Sequence, residues 1–235
     1  MVWSGSFRFG DAFAAYFGPA DDNDLHQHAA YQITMGAGKD AVILDEHGSE
    51  HRGPCFLIQP LVLHAIRCDG PVSLVYLDPQ AALAAELMDH IEPGEICPLS
   101  PEVLPFSTDA SADDIINTLN CSVLPETSAM DKRLKAAIVV LGQDPGAISI
   151  AEAAAHSAIS ESRLRALARK QFGVPLSTWL IWRKLETAAQ ALSAGCSLAE
   201  AALAGGFADQ AHFTRAMRRM FGITPTVAAL SLQQT

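Results

Sequence analysis

Residues 197–225 read SLAEAALAGGFADQAHFTRAMRRMFGITP, and residues 149–173 read SIAEAAAHSAISESRLRALARKQFG. The two stretches are copies of one unit. SIAEAA at 149–154 returns as SLAEAA at 197–202, a shift of 48, and RLRALARKQFG at 163–173 returns as HFTRAMRRMFG at 212–222, a shift of 49. The extra residue falls between the two blocks, where a turn is expected, and the second copy spends it in AGGFAD. In each copy a serine precedes a short Ala-rich segment, a turn follows, and a longer segment carries Arg or Lys on one face. Ser149, Ser160 and Ser197 stand where a hydroxyl can cap a helix start. Gly173, Gly195 and Gly222 stand where helices end. Short capped helix, turn, longer basic helix is the sequence form of a helix-turn-helix, here present twice.

The spacing assigns faces. Leu164 and Leu167, and Phe213 and Met217, recur at helical intervals and are expected inside. Arg163, Arg165, Arg169 and Lys170 then point outward, as do Arg215, Arg218 and Arg219. Gly206 supplies the positive φ that the second turn needs, and Phe207 fills its corner. Between the copies a helix from about Ser177 to Ala194 spans roughly 27 Å at about 1.5 Å per residue. That length suits two reading helices set about one DNA turn, roughly 34 Å, apart. Any helical bundle has an apolar and a charged face. Two tandem copies with matched caps and glycines are harder to explain by packing alone.

Charge points the same way. The whole chain of 235 residues has a net charge of −10, which taken alone argues against a polyanion partner. Residues 1–130 hold four basic and nineteen acidic side chains, a net of −15, whereas residues 131–235 hold twelve basic and seven acidic, a net of +5. Only the second half can release counterions from DNA. The stretch LPETSAMD, where the sign changes, is the expected linker. The expected domains are 1–128 and 129–235. Hydrophobic residues make up 49% and charged residues 18%, enough apolar material for two modest cores. The five cysteines, Cys55, Cys68, Cys97, Cys121 and Cys196, are scattered and include no CxxC pair. That argues against a disulfide framework or zinc module and fits a reducing, cytoplasmic setting. The start, MVWSGSFRFGDAF, lacks the basic patch and apolar core of a signal peptide, and no apolar run nears the ~20 residues of a membrane span.

In the first half, AYQITM, DAVILD, CFLIQP and VSLVYLD read as short strands between Gly, Asp, Pro and His clusters, predicting a small antiparallel barrel or sandwich. Helices are expected from about Gln80, in AALAAELMDHI, and from Asp113 to Leu124. Residues 92–110 read as loop. His47 and His51 sit in a polar turn, DEHGSEHRG, and are expected at the surface.

Residues 131–235 resemble the DNA-binding domain of the AraC/XylS family of transcription regulators. The resemblance lies in the alanines of 197–204, Gly206-Phe207, Asp209, Phe213, Arg215, and the closing Phe221-Gly222-x-x-Pro225. It implies a cytoplasmic, sequence-specific DNA-binding regulator rather than an enzyme, with no catalytic residues. The second helix of each motif would enter the major groove. By position the base-facing residues are Ser162, Arg163, Arg165 and Ala166 in the first motif and Gln210, Ala211, Thr214 and Arg215 in the second. Arg218 and Arg219 are expected to meet phosphate or solvent, and Arg169 is a further expected DNA contact. Ala166 stands where many members have arginine.

The resemblance also implies a cupin-like β-barrel with flanking helices at the amino end, serving a small-molecule effector and dimerisation. RNA polymerase is a further partner it implies. His26-x-His28, followed by Gln32, resembles the first cupin metal motif with Gln in the Glu position, and His64 matches the later histidine. Three ring nitrogens suit a divalent transition metal such as zinc, nickel or iron. Alternatively His26, His28, Gln32 and His64 line an organic pocket. Two other classes stay open: a metal-dependent cupin enzyme with a DNA-binding appendage, and a cysteine-based redox sensor. The apolar AALAAELM segment has no evident role inside a small barrel and is expected to pack against a second copy.

Overall fold

The fold was analysed in a computed structural model that describes residues 3–10, 12–67, 70–89, 96–122, 130–143 and 148–232. Its contacts divide the chain into two compact units: Met1–Pro125 with Met217–Thr235, and Glu126–Ala216. The expected 128/129 boundary and most of the LPETSAMD linker lie outside the described residues, as does the QDPG turn from its Asp onward.

The first unit holds nine strands: β1 Ser6–Gly10, β2 Phe13–Pro19, β3 Tyr31–Gly36, β4 Ala41–Asp45, β5 Glu50–Gly53, β6 Cys55–Ile58, β7 His64–Arg67, β8 Pro71–Leu77 and β9 Ile96–Pro98. They form two antiparallel sheets, one of six strands ordered β1-β2-β8-β3-β6-β9 and one of three ordered β5-β4-β7. Among the described residues the sheets do not close into the expected barrel; they are two separate ladders. The four strands read from the sequence are β3, β4, β6 and β8. The sequence reading missed β1 and β2, which bring Ser6–Pro19 into the larger sheet. It also took the β4–β5 hairpin for a turn, although His51 sits in β5 and pairs with Ile43.

Side-chain alternation sorts the larger sheet into two faces. Ile33, Met35, Leu57, Val75 and Leu77 point into one hydrophobic cluster. Helices α1 (Ala82–Met88) and α2 (Ala112–Ser122) cover that face, adding Leu83, Ala84 and Leu87, and Ile115 and Leu119. The apolar side of α1 is therefore used inside the unit. This corrects the expectation that it was left over for a second copy. Residues of the opposite register, Gln32, Thr34 and Tyr76, are also fully buried, but they carry polar groups.

The second unit begins with α3 (Lys132–Gln143), α4 (Ile150–His156), α5 (Glu161–Phe172), α6 (Leu176–Ser193) and α7 (Leu198–Ala204). The division between units falls inside α8 (Gln210–Phe221), and α9 (Pro225–Leu232) follows. Both short helices open on complete capping boxes. Ser149 accepts from the Glu152 backbone while Glu152 accepts from Ser149, and Ser197 and Glu200 repeat the arrangement. Ser160 caps α5 through the Arg163 N–H, and Asp209 caps α8 through the His212 N–H. Leu164, Leu167, Phe213 and Met217 are all buried, as their spacing predicts.

Candidate nucleic-acid interface and buried histidine cluster

The two helix-turn-helix copies are built alike and differ at the turn. In the second, Gly206 takes φ +69° and Phe207 is buried beside Phe213, with ring centroids 5.3 Å apart. Gly205 lets α7 lie close on α6: a Cβ there would stand 2.6 Å from the Lys184 carbonyl oxygen. The Lys184 ammonium donates to the Gly206 carbonyl at 2.8 Å, tying the turn to α6. Sequence reading did not single out Lys184, and nothing in the repeat marks it. In the first copy the left-handed position is taken by Ala158, at φ +54°. Ala158 is 48 residues before Gly206, and the α5 and α8 caps, Ser160 and Asp209, are 49 apart. The extra residue of the second copy is therefore Ala208.

Past each turn the longer helix presents its polar residues to solvent. Ser162, Arg163, Arg165, Ala166 and Arg169 are exposed on α5, and Gln210, Ala211, Arg215, Arg218 and Arg219 on α8, with Thr214 half-buried. Arg165 is held by Glu161, with nitrogen–oxygen distances of 2.7 and 2.8 Å. Thr214 donates its hydroxyl to the Gln210 carbonyl. Asp209 accepts from the His212 backbone, and among the described residues it forms no ion pair with Arg215. Lys132 and Arg133, at the start of α3, join Arg163 and Lys170 around one surface cleft. These two cations were missed because they lie outside the repeat.

A second constellation lies in the first unit. His26 and His64 exchange both backbone hydrogen bonds at 2.9 Å, an isolated bridge extending β7. His28 follows in irregular chain rather than in the expected strand. The three rings nevertheless converge: centroids are 4.3, 5.2 and 5.9 Å apart, and one ring nitrogen from each lies within 4.8 Å of the others. All three are at most 1% exposed. Each Nδ1 faces a backbone carbonyl, of Asp24, Ala30 and Val62 respectively, at 2.9–3.0 Å. A carbonyl only accepts, so each Nδ1 carries the proton and each neutral ring keeps its lone pair on Nε2.

The Gln32 amide on β3 stands 2.8 Å from Nε2 of His28 and 3.2 Å from Nε2 of His64, and its other end meets the Thr34 hydroxyl at 2.8 Å. The Gln32 oxygen faces both Nε2 atoms and its NH2 donates to the Thr34 hydroxyl; exchanging the two ends of the amide would let it donate to both lone pairs and accept from the hydroxyl. His26 Nε2 is buried with no partner. Tyr76 packs edge-on against the His28 ring at 5.3 Å, and Phe221 lies tilted to it at 6.4 Å. Neither was singled out as a site residue from the sequence.

Burial governs the titration of these rings. Desolvation, with the neighbouring His28, pushes His26 down to about 3. Burial likewise lowers His28, and lowers His64 well below the usual histidine range, with His26 and His28 adding to the latter effect. At neutral pH the set is a group of uncharged nitrogen donors. Among the described residues no carboxylate belongs to it. His47 is at the surface, and His51 lies 3.3 Å from the Asp45 carboxylate.

Among the described cysteines, Cys55 and Cys97 are buried, Cys196 is half-buried and Cys121 is exposed. Cys68 lies outside the described residues. Burial pushes the Cys55 thiol up to about 12 and raises Cys97, which disfavours the nucleophilic thiolate that redox sensing needs.

Residues 153–229 match a family described as a helix-turn-helix domain. The second half of the chain thus carries a helix-turn-helix domain. Over 123 residues the chain is 27% identical to the probable transcriptional regulator LumQ of Photobacterium leiognathi, covering 49% of this chain and 50% of that protein. The match thus spans about half the length of this curated relative. ToxT from Vibrio cholerae O395 superposes with a TM-score of 0.58 at 13% identity, over 96% of this chain and 100% of that one. ToxT from Vibrio cholerae strain SCE256, solved with an unsaturated fatty acid bound, gives 0.57 at 11% identity, over 97% and 98%. The chain therefore shares a two-part fold with ToxT, a β-rich part followed by a helical one. Among the described residues no helix is long and apolar enough to cross a membrane.

Proposed function

We propose that this protein is a cytoplasmic, sequence-specific transcription regulator and not an enzyme. Residues 129–235 read duplex DNA, and residues 1–128 take a small-molecule effector lined by His26, His28, Gln32 and His64. The observation that carries the reading is the pair of capped helix-turn-helix units, each ending in a helix with an exposed basic face, in a half-chain whose charge is opposite to that of the rest. In this reading Arg163, Arg165, Gln210, Ala211, Thr214 and Arg215 meet base edges, with Ser162 beside them. Arg169, Arg218 and Arg219 meet phosphate. Lys132 and Arg133 extend the phosphate track. Glu161 holds Arg165 until DNA competes for it. A homodimer, and contact with RNA polymerase, complete the proposal, although the apolar face of α1 does not supply the dimer surface.

The fatty acid bound to ToxT supports an organic effector in a related fold. The experiment is selection of bound sequences from a random duplex pool with the full chain, followed by affinity measured against salt. A defined motif with a steep salt dependence is the expected result. Weak, salt-independent binding with no enriched sequence would overturn the reading.

A further inference from the structure

The last turn of α8 is clasped by the chain that joins β2 to β3, and every residue of the clasp lies in the first unit. A helix ends on carbonyls that have no partner within it. Here three of them are met from outside. The Gln27 N–H donates to the Arg219 carbonyl at 3.3 Å, the Asn23 side-chain amide to the Phe221 carbonyl at 3.2 Å, and the Asp24 N–H to the Gly222 carbonyl at 3.2 Å. Asn23 is buried and anchored at its other end, where its Oδ1 accepts from the Ile66 N–H on β7 at 2.7 Å. Gly222, at φ +69°, permits the close approach, since a Cβ there would stand 2.3 Å from the Asp24 carbonyl oxygen. The Phe221 ring packs edge-on against buried Tyr76, with centroids 5.5 Å apart.

The clasp carries charge. Asp21, Asp22 and Asp24 line one cleft with Arg218 and Gly222. Asp22 and Asp24 are exposed and Asp21 is half-buried. Arg218 is one of the cations read above as meeting phosphate, and these carboxylates offer it the same chemistry, an oxygen anion. Earlier in α8 the base-facing Gln210, Ala211 and Arg215 are exposed.

We propose that segment 21–27 is an autoinhibitory clasp. It holds the end of α8 and sets three carboxylates where duplex phosphates would meet Arg218, so full-strength DNA binding requires its release. Like the phosphate contacts themselves, this role rests on the regulator reading above. The clasp engages the phosphate end of the helix and not its base-facing part. It therefore lowers affinity for every sequence alike and leaves sequence preference unchanged.

The test compares three full-length proteins on the duplex enriched from the random pool and on an unrelated duplex. They are the unaltered chain, a clasp variant with Asp21→Asn, Asp22→Asn and Asp24→Asn, and a control with Asp40→Asn, Glu46→Gln and Glu86→Gln. The control removes the same charge from exposed positions of the same unit. At about 0.15 M salt, exposed charges more than about 8 Å apart are largely screened, so the control is expected to change affinity by about twofold or less. Exposed charge pairs each shift an equilibrium by up to about fivefold, so the clasp variant is expected to gain roughly tenfold on both duplexes. Hydrogen exchange gives a second reading that needs no variant. The Asp24 and Gln27 amides are expected to exchange slowly in the unaltered chain alone and faster once it is saturated with duplex. No gain, an equal gain in the control, a gain on one duplex only, or amides that stay protected on duplex would each overturn the clasp, while salt-dependent binding would leave the regulator reading standing. Absence of salt-dependent binding in all three proteins would overturn both.

Discussion

Lowering the pH from 7 to 5 should destabilise the β-rich unit while leaving the helical one nearly unmoved. His26 titrates at about 3 in the folded chain because of burial and the neighbouring His28, against an ordinary value of 6.5. Below 6.5 the unfolded chain takes up a proton that the folded chain refuses. The stability tied to this ring is therefore full above 6.5 and declines as pH falls towards 3. Between pH 7 and 5 that linkage removes on the order of 2 kcal/mol for His26 alone. His28 and His64 are shifted in the same direction and enlarge the loss. Both pH values lie above the carboxylate range, so acidic side chains contribute little. A loss of this size lowers a urea midpoint by roughly 1 M when the slope is about 2 kcal/mol per M. The three tyrosines, Tyr16, Tyr31 and Tyr76, all lie in the first unit, and Trp179 and Trp182 lie in the second. Trp3 also lies in the first unit, so in a Trp3→Phe background near-ultraviolet dichroism of tyrosine and fluorescence of tryptophan follow the two units within one chain. The described histidines of the second unit, His156 and His212, are exposed rather than buried. The assay is urea unfolding at both pH values with a chelator present, repeated on His26→Gln. A tyrosine midpoint that does not move, or that moves equally in His26→Gln, would refute the assignment.

Three further outcomes follow from the helical half. Arg215→Ala should cost about 1–3 kcal/mol at the selected operator and flatten preference at one base pair, whereas Arg218→Ala should weaken all sequences alike; a panel of single-base operator variants at fixed salt separates the two. An unchanged preference profile in Arg215→Ala would remove it from the base-reading set. Ala158 sits at φ +54°, so Ala158→Gly should be neutral or stabilising by up to about 1 kcal/mol, while Gly206→Ala at φ +69° should cost about 1 kcal/mol; thermal unfolding checks the opposite signs. Ser197→Ala removes the α7 capping box and should cost about 0.5–2 kcal/mol by the tryptophan-detected transition; a change below that range would mean the box contributes little in this setting.

The helical half was legible because its determinants are local. A serine three residues before a glutamate, a glycine after a basic turn and an apolar residue at each helical interval each act within one turn of chain, and α4, α5, α7 and α8 begin where those signals stand. The equivalence of Ala158 and Gly206 was not legible, since alanine gives no hint of a left-handed backbone. In the β half the signals are non-local. β1 carries Phe7 and Phe9, but only pairing with β2 makes Ser6–Gly10 a strand, and no local pattern announces a partner. The same reasoning explains α1. Its apolar face looked surplus because the sequence gave no sign that the larger sheet has a second buried face to cover.

The histidines sit between these cases, and they show what spacing can and cannot carry. The HxH pattern suggested one face of a strand, yet His28 lies in irregular chain, so alternation is not what brings the rings together. The bridge between His26 and His64 does so, together with three carbonyls that each fix an Nδ1 proton. Gln32 then decides the chemistry. A glutamate at that position would have accepted protons, compensated a divalent ion and invited charge into the core. The amide instead closes a neutral network on β3 and leaves one lone pair, on His26, for whatever ligand the site takes. The residue that departs from the expected pattern is thus the one that keeps the buried cluster uncharged.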